Sequence, residues 1–84
     1  PDYQAHHQLP QMYRATFEQA GLAIDDPRYG LWWCSKAGVP TNHSSQAANY
    51  NAKWEQFFAT TASPSQDEIL AYMKSLVGLY VYTC

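Results

Sequence analysis

The sequence predicts a helix-rich α+β domain, in the order strand, helix, strand, helix, helix. Three observations carry that reading. Two short segments, residues 2–9 and 31–34, have extended character and are too brief or too poorly capped for helix. Three longer segments repeat their apolar residues at three- and four-residue intervals, and Gly, Pro, Asp and Asn punctuate the joints between them.

The first strand, residues 2–9, carries no helix cap and runs into Pro10, which disfavours helical backbone at Leu9. The first helix spans residues 10–20: Met12, Tyr13, Phe17 and Ala20 share a face, Pro10 suits a first-turn position and Gly21 a stop. Asp25, Asp26 and Pro27 make a turn, so both carboxylates read as structural rather than as a catalytic pair. The run Leu31, Trp32, Trp33, Cys34 is the second strand, paired with the first, and residues 35–42, with Gly38 and Pro40, form a loop.

The second helix runs over residues 43–59, where Ala47, Tyr50, Trp54 and Phe57 or Phe58 recur at helical spacing and Thr41 or Asn42 supplies the cap. The third spans residues 64–80. Ser63 with Gln66 and Ser65 with Glu68 both fit a capping box, and Ile69, Met73, Leu76 and Tyr80 form the buried stripe. The aromatic residues Trp32, Trp33, Trp54, Tyr50, Phe57 and Phe58 are read as core packing rather than as a surface for stacking bases.

With 84 residues, 46% hydrophobic and 15% aromatic, the chain supports one domain whose stability is modest. No apolar run approaches the roughly 20 residues that cross a bilayer, and the opening at Pro1 reads as a soluble piece of a longer polypeptide. Cys34 and Cys84 make at most one bridge without framework spacing; two reduced thiols are the favoured expectation and a 34–84 disulfide the alternative. The net charge of −2 leaves only five Lys and Arg to meet phosphates, so a nucleic-acid ligand would depend on a bound cation for positive charge.

The chemistry-bearing residues are His6, His7 and His43. Neighbouring histidines on a strand point to opposite faces, which suits a division of labour: one imidazole holds a divalent ion while the other accepts a proton from water. Taken alone, an exposed His-His pair and a polar residue at a helix start are the plainer reading.

The order Ala5-His6-His7-Gln8-Leu9-Pro10, Gly21-Leu22-Ala23-Ile24-Asp25, Gly30-Leu31-Trp32, His43 and Tyr50-Asn51-Ala52-Lys53-Trp54 resembles the AHH family of the HNH and endonuclease VII-like nucleases, found mostly as toxin domains of bacterial competition proteins. It is also similar to a related group of predatory-bacterial lipoproteins. The resemblance covers about residues 5–58. It implies a ββα-metal (His-Me finger) core, with a helix inserted between the strands and an extra C-terminal helix. It further implies a single nuclease domain over residues 1–84, the C-terminal toxin portion of a longer protein, secreted or delivered into a target bacterial cell.

By the same resemblance His6 and His43 are metal ligands, His7 is the general base, and the chain is a metal-dependent endonuclease. Its cofactor is one divalent ion, with Mg, Mn, Zn and Ni undistinguished, and its partners are DNA or RNA and a cognate immunity protein. A backbone carbonyl of the Trp32–Trp33 strand is expected to fix the tautomer of His7. The family often places another histidine four residues after His43, where this chain has Ala47. Asn51, Asn42, Gln46 or water would then complete the site, Asn51 being preferred, unless the site has decayed; the alternatives are a catalytically inactive binding module on the same fold, or a structural helical domain whose histidines are incidental.

Overall fold

Alternation along a strand sends adjacent side chains to opposite faces, and the two tryptophans of the second strand show its effect: Trp33 is fully buried while Trp32 is 69% exposed. The computed structural model describes residues 2–84. Its elements are β1 (Tyr3–His7), α1 (Arg14–Gln19), β2 (Gly30–Cys34), α2 (His43–Thr60) and α3 (Gln66–Val77). The fold is α+β, with β1 and β2 antiparallel and in the register His6 opposite Leu31 and His7 opposite Gly30. Gln8 extends the pairing by donating its backbone N–H to the Tyr29 carbonyl at 3.0 Å.

One aromatic-rich core joins the sheet to the helices. Its two centres are Trp33, edge-on to Tyr50, Tyr82 and two histidines, and Trp54, packed among Phe17, Phe57, Phe58 and Tyr72. The packing expectation for aromatics therefore holds for Trp33, Trp54 and Tyr50, and fails for Trp32, which the strand period turns outward.

Helix termini follow their local chemistry. Asn42 caps α2 by accepting from the Ser45 N–H at 2.9 Å, and Ser65 and Glu68 form a reciprocal capping box on α3. The alternative box from Ser63 does not form, because Ser63 takes a left-handed backbone (φ 47°) and Gln66 instead reaches the carbonyls of Ala20 and Gly21. The first helix is shorter than residues 10–20. Pro10 keeps extended backbone, Gln11–Tyr13 form a 3-10 turn, and α1 closes with the N–H groups of Gly21 and Leu22 donating to Glu18 and Phe17. Gly21 meets this stop at φ 85°. The third helix ends at Val77, so Tyr80 joins the core from the tail and not from the helical stripe.

That tail corrects the cysteine expectation. It returns beside β2, with the Cys34 N–H donating to the Tyr82 carbonyl at 2.7 Å, and this brings Cys84 to a Cα separation of 5.2 Å from Cys34, where the two form a disulfide. Among the described residues no cysteine is free, and no helix is long and apolar enough to cross a membrane.

Candidate active site

The end of β1 and the first turn of α2 meet over Trp33 and Tyr50. His6, on the inner face of β1, is 5% exposed and packs edge-on against the rings of Trp33 and Tyr50. His43 is the first residue of α2, placed there by the Asn42 cap. The two imidazoles touch, with His6 Nδ1 and His43 Nε2 3.0 Å apart, although 37 residues separate them in sequence. His7, one residue on, lies on the outer face of the strand and is half-buried. All three histidines line one open cleft of about 340 Å³, together with Gln4, Gln11, Ala47, Tyr50 and Asn51.

The inner pair forms a short chain: the Gln4 side-chain amide meets His43 Nδ1, and the facing His43 Nε2 and His6 Nδ1 share one proton between them. His6 Nε2 is buried and finds no partner among the described residues. Charging this ring is therefore unfavourable: burial first, then repulsion from His43 and His7, lowers the His6 pKa from 6.5 to about 4. Burial also lowers that of His43. Both are neutral near pH 7.

The outer histidine has different partners. His7 Nε2 lies 2.9 Å from Asp25 Oδ1, and the other carboxylate oxygen accepts from Arg14 Nη1 at 2.9 Å. Arg14 first and His7 second hold the Asp25 carboxyl below its ordinary range. Asp25 arrives there because Ile24 anchors the chain in the core while Asp26 caps the short 3-10 turn Pro27–Tyr29 that leads into β2.

Two expectations change as a result. The Asp-Asp-Pro turn exists, with Asp26 capping it, while Asp25 reaches out of the turn to His7 and Arg14. The group on His7 is this carboxylate and not a backbone carbonyl of the Trp32–Trp33 strand, since the residue opposite His7 is Gly30. The sequence signal that could have found Asp25 is its place one residue after a buried isoleucine and two before the strand-leading turn, but its meeting with His7 is a tertiary event.

The polar helpers divide similarly. Asn51 stands on the cleft wall. Asn42 is committed, its oxygen to the Ser45 N–H and its amide to the Lys36 carbonyl at 2.9 Å, because a helix cap needs that side chain turned back on the backbone. Gln46 turns away from the cleft to the Pro40 carbonyl at 3.3 Å. Ala47 does line the cleft, one turn of α2 after His43. Among the described residues no cluster of three or more His, Cys, Asp or Glu side chains is arranged to hold a metal. Comparison of the chain with known protein families, curated proteins and solved structures finds no match.

Proposed function

We propose that this chain is a metal-dependent endonuclease domain that hydrolyses phosphodiester bonds of DNA or RNA, on a ββα-metal core made by β1, β2 and α2. The observation that carries the reading is the convergence of His6, His7 and His43 on one cleft, with His7 held separately by a carboxylate. A catalytic centre of this kind needs groups in two states of duty: neutral imidazoles that offer lone pairs to a cation, and one that takes a proton from water.

The donor set fits one divalent ion at two points, His6 Nδ1 and His43 Nε2, with Asn51 and water oxygens to complete its shell. Two imidazoles suit borderline ions such as zinc or nickel better than magnesium or manganese, which favour oxygen. Presenting both nitrogens requires His43 to carry its proton on Nδ1, with the Gln4 amide oxygen as its acceptor. When bound, the cation would stabilise charge developing on the phosphate and on the departing 3′ oxygen. His7 would deprotonate the attacking water, giving 5′-phosphate products.

The same domain, delivered into a target bacterial cell, would act there as a toxin and be neutralised in its producer by a cognate immunity protein. Digestion of plasmid and RNA with Mg²⁺, Mn²⁺, Zn²⁺ and Ni²⁺ tests the enzyme, with EDTA and the His7→Ala protein as controls. Cleavage that needs both metal and His7 supports it. A second reading, a non-catalytic binding module, is favoured by Ala47 on the cleft wall and by the commitment of Asn42 and Gln46 elsewhere. Nucleic acid bound but uncut with all four ions would establish it.

A further inference from the structure

The geometry points to Asp25 as the positioning residue of the site: pinned by Arg14, it holds His7 in the tautomer whose Nδ1 faces the cleft as the proton acceptor. The inference rests on the nuclease reading of His7 and adds which atom does the work and what orients it. An ionised carboxylate can only accept hydrogen bonds. With Asp25 Oδ1 2.9 Å from His7 Nε2, the neutral ring must carry its proton there, and the lone pair is left on Nδ1. The Gln11 side-chain amide lies 3.5 Å from His7 Nδ1, and Gln11 lines the cleft.

Arg14 gives the arrangement its direction. It bonds the far oxygen of Asp25 at 2.9 Å and lies 3.8 Å from Glu18, so one guanidinium joins α1 to the loop that carries Asp25. The Oδ1 lone pairs are thereby aimed at the ring, which is the orienting part that an acid plays behind a catalytic imidazole.

This makes Asp25→Asn more informative than Asp25→Ala. Arg14 can donate only to the amide oxygen, so the amide nitrogen is left facing His7 Nε2 as a donor and the ring proton is driven to Nδ1. The base atom is then blocked. Asp25→Ala merely removes the preference and leaves a mixture. In the double variant Asp25→Asn with Arg14→Met the amide is free to rotate, offer its oxygen to Nε2 and restore the original tautomer.

The test is the long-range ¹H–¹⁵N spectrum of His7 in the metal-free protein at neutral pH, with digestion kinetics on the same four proteins. The expected result is an Nε2–H ring in the wild type, an inverted ring in Asp25→Asn, and partial return in the double variant. In parallel, kcat should fall on the order of 10- to 100-fold in Asp25→Asn with KM little changed, and recover in part in the double variant. A His7 tautomer unmoved by Asp25→Asn, in a chain that still cleaves, would overturn the positioning role alone. Inversion of the ring in a chain that never cleaves with any ion would overturn the nuclease reading and the catalytic purpose of Asp25 with it.

Discussion

Breaking the Cys34–Cys84 bridge should be among the most damaging small changes this domain can suffer. The two cysteines are 50 residues apart, and closing a loop of that length in the unfolded chain corresponds to about 4 kcal/mol at 25 °C. A chain of 84 residues has a total stability of only roughly 4–13 kcal/mol, so the loss takes between a third and nearly all of it. The local consequence has the same sign. The bridged tail lays Tyr80 and Tyr82 against Trp33, whose other edge carries His6 and His43. Urea unfolding followed by tryptophan fluorescence is the assay, comparing the oxidised protein with the reduced protein and with the Cys34→Ala, Cys84→Ala double variant. With a slope of about 1 kcal/mol per molar urea, the midpoint should fall by roughly 3–4 M or the chain should be unfolded from the start. Midpoints within about 0.5 M of one another would refute the reasoning, since they would mean that neither the crosslink nor the packing of the tail contributes.

Further outcomes are expected. Gly21→Ala places a side chain at φ 85° against Gln66, and should lower stability by about 1–2 kcal/mol in a thermal or urea melt. In the metal-free protein the unfolded chain protonates His6 near pH 6.5 and the folded chain only near pH 4, so stability should fall as the pH drops through that window, by ~3 kcal/mol in all; urea titrations at several pH values should show that slope, and His6→Leu should flatten it. Calorimetric metal titration should find affinity lost in His6→Ala and His43→Ala but kept in His7→Ala, and raised in Ala47→His, which adds a ligand one turn from His43. Equal affinity in the first three variants would mean that the duties assigned to these histidines are wrong.

The features legible in the sequence are those with local causes. The two strands, the start of α2 at His43 and the capping box at Ser65 all follow from neighbours a few residues away; the helix start and the box appear where the caps put them, and the strands differ from the expected bounds by one or two residues. The order of the histidines also allowed their meeting to be anticipated. The remainder depended on contacts between distant segments. Asp25 looked like a turn residue because its turn is real, while its hydrogen bond to His7 spans 18 residues. The disulfide was unreadable because the path of the tail beside β2 has no signature in two isolated cysteines. Asn42 and Gln46 looked available because sequence shows a polar side chain without showing that the backbone has already claimed it.

The inner histidine pair also has a kinetic consequence. Helices α2 and α3 are closed by contacts three and four residues apart, whereas the wall of the cleft joins residues 37 apart and Trp33 is sealed by a tail tied across 50. Chain entropy must be lost over those spans before the contacts return anything, so the cleft belongs among the last parts of the molecule to assemble. A protein with this distribution of contacts can be recognisably helical while its histidines are still apart, and any function of the cleft would begin only with the final docking of the tail.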